Sequence, residues 1–150
     1  DNNHHWVYRS GGATILQASG YSPVYVHGVV DAPWPIQDRD SVVRFDYAQD
    51  AMTGVITIDI TNINAFLPPR PGLVRVPDIG GFWQLTPLPG GYVDVVYQVH
   101  GDPGGWVPPW LANYAATLSV LHTLQNMPDA VVRYRGAISD HVAELGSTEG

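Results

Sequence analysis

The sequence predicts an α+β domain in which a curved antiparallel β-sheet is covered by one long C-terminal α-helix, and three observations lead there. Seven β-type segments follow one another between Ala13 and His100 with turn chemistry between them. A stretch of helical spacing without proline or glycine follows, from Trp110 to Met127. The lengths also agree: about 20 helical residues at 1.5 Å rise span roughly 30 Å, and strands of about nine residues span nearly the same, so one helix can cover one sheet face.

The strand segments are Ala13 to Gln17, Pro23 to Asp31, Ser41 to Gln49, Gly54 to Asn62, Leu73 to Val76, Phe82 to Thr86 and Tyr92 to His100. They read as consecutive antiparallel strands. Gly20, Gly54, Gly80-Gly81 and Gly90-Gly91 lie at their ends, where hairpins need positive φ, so a meander is expected. Between Asn62 and Leu73 the prolines at 68, 69 and 71 cannot continue a central strand. That stretch predicts a longer loop with Phe66-Leu67 at an apolar tip. Structure is expected to begin near Trp6 to Tyr8.

Pro108-Pro109 suits the first turn of a helix, whose leading amides lack partners in any case. Leu111, Ala115 or Tyr114, Leu118, Leu121 or His122, and Gln125 then recur at helical spacing. Pro128 is expected to interrupt this helix at about Met127. Asp129 to Leu145 reads as further helix, with Arg133, Arg135, Asp140 and Glu144 exposed, before a tail from Gly146. The organisation expected is one domain over 1–127 and a helical extension with a tail over 128–150.

Alternation assigns the faces. Val24, Val26, Gly28 and Val30 oppose Tyr25, His27 and Asp31; Val43, Phe45 and Tyr47 oppose Arg44 and Asp46. Ile56, Ile58 and Ile60 oppose Thr57 and Asp59, Trp83 and Leu85 oppose Gln84, and Val93, Val95, Tyr97 and Val99 oppose Asp94 and Gln98. Each strand therefore offers one apolar side. A sheet and helix of this kind either pack solid or, where the sheet curves away, enclose a hydrophobic cavity, and alternation leaves both open.

Composition narrows the function classes. The 150 residues are 45 % hydrophobic and 14 % charged, which fits one folded unit. Fourteen acidic residues face seven basic ones, all arginine and unclustered, so nucleic acid is not an expected partner and membrane contact is at most transient. Cysteine is absent, which excludes disulfides and thiolate chemistry. No apolar run reaches membrane-span length and no signal segment opens the chain. The compartment is left open with the cytoplasm favoured, because the chain starts at Asp1 without methionine and an N-terminal targeting segment can have preceded it.

The run from Val29 to Asp40, VVDAPWPIQDRD, resembles a stretch between two strands of START domains, the steroidogenic-acute-regulatory-protein-related lipid-transfer family, and of their bacterial members above all. Its Pro-x-x-x-Arg-Asp element is the most specific part. Further matches follow in order at Gly72 to Arg75, Gly81 to Leu88, Val95 to Gly105 and Val107 to Asn113, so the resemblance covers about Trp6 to Met127. It implies the helix-grip fold, with a long C-terminal helix closing a sheet-walled cavity. The function it implies is binding and transfer of a lipid, sterol-like or other extended apolar molecule, without enzymatic chemistry and without a cofactor. Two departures accompany it. The initial helix and strands usual in the family are missing, which predicts an exposed sheet edge and possible self-association. The buried acid and arginine of vertebrate members align with Val26 and Phe45, which are expected to face each other across neighbouring strands and to make the pocket drier.

The expected ligand wall is Val26, Phe45, Tyr47, Ile58, Trp83, Val95, Tyr97, Leu111, Ala115 and Leu118. No catalytic residue is assigned. Arg39 and Asp40 point to opposite faces and cannot act on one substrate atom, so they are read as structural ion-pairing residues. His4-His5 lacks a third ligand of telling spacing, so no metal site is assigned. His122 is read as a helix residue facing the interior, His27, His100 and His141 as surface positions, and Asp59 as an outward carboxylate without a partner. A helix-grip enzyme such as a polyketide cyclase or aromatase is the alternative, as is an interaction module that its ligand stabilises. The enzyme would need a convergent polar pair in the pocket, which the apolar faces do not provide.

Overall fold

A computed structural model describes residues 10–20, 22–32, 34–133, 135 and 136, and within them every alternating apolar run forms a strand. The elements are β1 (Ser10–Ala18), β2 (Val24–Val30), β3 (Arg39–Gln49), β4 (Ile56–Asn62), a single 3-10 turn at Asn64–Phe66, β5 (Val74–Arg75), β6 (Asp78–Leu88), β7 (Tyr92–Asp102) and α1 (Pro109–Arg133). They form one curved open sheet in the order β1-β2-β3-β4-β6-β7, antiparallel at each neighbouring pair. The fold is the α+β helix-grip arrangement. Asp1 to Arg9, with Trp6 to Tyr8, and the stretch from 137 onward, with His141, lie outside the described residues.

The meander holds except at β5. Leu73 to Val76 does not add the next antiparallel strand; Val74 and Arg75 pair in parallel with Arg39 and Asp40 at the start of β3. The β4–β5 loop is long enough to return the chain to that end of the sheet, and Asp40 supplies a charge that holds it there. Gly80 and Gly81 also fall inside β6 rather than in a turn. A Cβ on Gly81 would collide with the Gln98 carbonyl, so glycine here permits close approach of β6 to β7.

Helix α1 begins at Pro109, with the first-turn amides of Leu111 and Ala112 donating to the Pro108 carbonyl. It does not stop at Met127 but continues through Pro128 to Arg133. Proline removes one amide and bends a helix without obliging it to end. Here Pro128 is exposed, while Leu124, Met127 and Ala130 on the sheltered side stay half-buried.

The strongest polar anchor lies at the start of β3. Asp40 is 1 % exposed and accepts from Arg75 Nε at 2.9 Å, from Arg75 Nη2 at 2.8 Å and shares a 2.8 Å hydrogen bond with His27 Nε2. Arg75 spends its remaining donors on the carbonyls of Leu67 at 2.8 Å and of Asn64 and Pro68 at 3.3 Å. One carboxylate thereby fixes the whole proline-rich loop against the outer sheet face. His27, expected at the surface, is 2 % exposed. Alternation placed it on the correct face, but the loop covers that face there, with Phe66 stacked on Tyr25 at 4.9 Å.

Arg39 points the other way along the strand and is also buried. Its guanidinium donates to the Gln37 carbonyl and, at 3.4 Å, to the Gly104 carbonyl. The loop before β3 and the loop before α1 are thus tied together. Gly104 has φ of 66°, and a Cβ there would sit 2.8 Å from Pro77 Cδ, so only glycine presents that carbonyl without strain. Arg39 and Asp40 are structural residues on opposite faces, as their adjacency requires.

Hydrogen bonds from Arg75 hold the Asp40 carboxyl below the ordinary carboxylate range, outweighing the desolvation that pushes it up, with His27 adding to the lowering. A depressed folded-state pKa stabilises above the unfolded value near 3.9 and is lost as pH falls through the lower folded value. We therefore predict that Asp40→Asn lowers unfolding free energy by about 3 to 5 kcal/mol at neutral pH, because it leaves the half-buried guanidinium of Arg75 without its carboxylate. Urea titrations should show the gap between the two proteins narrowing only below about pH 4. A loss under about 1 kcal/mol at pH 7 would mean that this cluster does not anchor the loop.

Candidate functional site

The strand register assembles the apolar faces into rows. Val24 pairs with Phe45, Phe45 with Ile60 and Ile60 with Gly81. Tyr47, Ile58, Trp83 and Tyr97 form the next row, and Gln49, Ile56, Leu85 and Val95 the one beyond. Trp83 and Tyr97 stack with centroids 3.8 Å apart and planes 10° from parallel. This stacking holds the two rings nearly parallel as an apolar platform.

Most of this face is half-buried. Val26 and Val43 are buried, whereas Phe45, Ile58, Ile60, Trp83, Leu85, Val95 and Tyr97 are half-buried and Tyr47 is 37 % exposed. Burial raises the Tyr47 and Tyr97 phenols above the ordinary tyrosine range, so both stay neutral donors at physiological pH. The paired rows of β2, β3, β4, β6 and β7 carry no carboxylate or imidazole on this face, and Arg39 at its margin is committed to carbonyls. The arrangement presents an apolar surface on which the phenol hydroxyls of Tyr47 and Tyr97 are polar groups. No group of three or more metal-ligating side chains is present among the described residues.

Of the residues expected to form the wall, the seven on strands share this one face: Val26, Phe45, Tyr47, Ile58, Trp83, Val95 and Tyr97. The helix contributes less uniformly. Leu111 and Leu118 are half-buried, but Ala115 is exposed, as is all of Asn113 to Thr117. The sheltered stripe is set further along, where Ser119, Val120, Leu124, Met127 and Ala130 surround Thr123, which is 4 % exposed. Thr123 went unnoticed because a lone threonine among leucines carries no periodic signal. His122 is half-buried beside it, and His100 is exposed near Asp78 at 3.7 Å.

Val26 and Phe45 share the face but do not face each other. Val26 pairs with Val43 and Phe45 with Val24, so the two positions are diagonal neighbours one pair apart. Sequence alignment through the β2–β3 loop cannot resolve a two-residue shift of register, which preserves the faces. Directly paired side chains have Cβ atoms about 4.5 to 5.5 Å apart, and diagonal pairs lie about 7 to 8 Å apart. A thermodynamic cycle on Val24→Glu and Phe45→Arg should therefore show coupling of about 1 kcal/mol or more, above that for Val26→Glu and Phe45→Arg. Equal coupling for the two cycles would contradict the register.

No family model matches the sequence. Among solved structures, the chain is 35 % identical to a STAR-related lipid transfer protein fragment from Xanthomonas axonopodis, with a TM-score of 0.74 over 83 % of this chain and 69 % of that one. It superposes on human StAR-related lipid transfer protein 5 with a TM-score of 0.74 at 21 % identity, over 89 % of this chain and 65 % of the other, a likeness of fold. A Pseudomonas aeruginosa protein described only as uncharacterized is 30 % identical over 125 residues, 83 % of this chain. The chain spans 61 % of the length of that relative.

Proposed function

The chain belongs to the StAR-related lipid transfer (START) family, and on that footing we propose that it binds and transfers one lipid, sterol-like or other extended apolar molecule. The observation that carries this reading is the uncharged row of Tyr47, Ile58, Trp83 and Tyr97, half-buried at Ile58, Trp83 and Tyr97 and exposed at Tyr47. An interior of this composition gains about 25 cal/mol for each Å² of ligand surface taken from water. Val26, Phe45, Val95, Leu111 and Leu118 extend the wall. Ala115 belongs to it only if the start of α1 is drawn inward when ligand is bound. The carrier reading asks for no chemistry of these residues.

Titration with an environment-sensitive fatty-acid or sterol probe should show saturable binding of one probe per chain. Trp83→Ala should weaken it about tenfold or more, since removing one side of the stacked platform forfeits burial worth about 1.5 to 3 kcal/mol. Gln84→Ala, on the other face of the same strand, should leave it unchanged. Failure of every apolar probe to bind, or equal effects of the two substitutions, would contradict the carrier reading.

A further inference from the structure

Arg75 and Arg39 are both largely withdrawn from solvent, yet only Arg75 has a carboxylate, that of Asp40. Arg39 is 8 % exposed and forms no ion pair among the described residues. Its partners are the neutral carbonyls of Gln37 and, at 3.4 Å, of Gly104. The acidic residues beside these loops are turned elsewhere: Asp38 accepts from the Ala32 amide and Asp102 from the Gly104 amide, each at 2.9 Å. Two carbonyls use only part of the guanidinium's N–H set.

This cation belongs to the apolar face. Alternation along β3 puts Arg39, Ser41, Val43, Phe45 and Tyr47 on one side, and the pairing with β2 runs from Val30 opposite Arg39 to Val24 opposite Phe45 without a register shift. Gly28 and Ser41 form the next pair, so no bulky side chain of these two strands separates the guanidinium from buried Val26 and Val43. Tyr47 and its row lie eight positions beyond Arg39 on β3. At about 3.3 Å per residue that is at most about 26 Å of strand. One end of the face is therefore cationic, and the strand rows beyond it carry no charge.

A buried cation without a counter-ion is costly, and carbonyl dipoles offset only part of the cost. A ligand head with one negative charge removes the remainder and gains charge-assisted, bidentate hydrogen bonds. Building on the carrier reading, we propose that the molecule held on this face is a long-chain amphiphile with a single carboxylate. Its head is bound by Arg39, and its hydrocarbon lies along β3 toward the platform of Trp83 and Tyr97. A phosphate monoester fits less well, because one guanidinium balances one negative charge and the second would be buried unpaired.

The test is displacement of an uncharged, environment-sensitive apolar probe from the full chain at neutral pH by palmitic acid, its methyl ester or hexadecyl phosphate. Palmitic acid should displace the probe at a concentration about tenfold or more below that of the ester, with the phosphate weaker than the acid. Arg39→Gln should bring the acid to the level of the ester while changing the ester by less than about twofold, and Arg39→Lys should keep part of the preference. The comparison of acid with ester needs no variant and so holds whatever the folding of Arg39→Gln. Equal displacement by acid and ester, tighter binding of the phosphate than of the acid, or equal weakening of acid and ester by Arg39→Gln would each overturn the proposal. In those outcomes the ester still displaces the probe and the carrier reading stands. Failure of the probe and of all three ligands to bind would remove the carrier reading and this inference with it.

Discussion

Two adjacent residues of opposite charge, pointing to opposite sides of one strand, organise this fold. Asp40 gathers Arg75 and His27 on the outer face and so holds down the loop between β4 and β5. Arg39 reaches the carbonyls of Gln37 and Gly104, at the point where the chain leaves the sheet for its helix. Strand alternation makes this possible, since neighbours cannot share a face. Without these contacts the sheet would retain its ladders, but neither the covering loop nor the entry to α1 would have a fixed position. The parallel pairing of β5 with β3 places Arg75 and the loop where Asp40 can bind them.

What the sequence made legible was whatever depends on period. Alternation located the strands and their apolar faces, and the register joins those faces into rows, because a strand with one buried side tolerates no single-residue slip. What escaped it depends on tertiary contact. His27 looked like a surface residue because nothing local shows that Phe66 and its loop will cover it. Gly81 looked like a turn because a close approach to the Gln98 carbonyl is invisible until β7 is in place. Pro128 looked like an end because proline removes one amide of the helix ladder, yet the helix runs on through it to Arg133. The same distinction runs through the candidate site: that its strand residues share one face was readable, whereas on the helix Ala115 is exposed and Thr123 is the buried position.

The apolar rows place a constraint on function that follows from desolvation. An apolar face rewards any ligand that brings hydrocarbon out of water. The neutral hydroxyls of Tyr47 and Tyr97 add only hydrogen-bond donors at its margin. Valine and phenylalanine at positions 26 and 45 leave these two positions of the face without charge.

Native mass spectrometry of protein purified from cells without detergent measures the central claim most directly. The account predicts a population heavier than the bare chain by the mass of one lipid-like molecule, released as a single apolar species on activation and reduced by Trp83→Ala. A bare chain throughout, unable to acquire any apolar ligand on incubation with a cellular lipid extract, would contradict it.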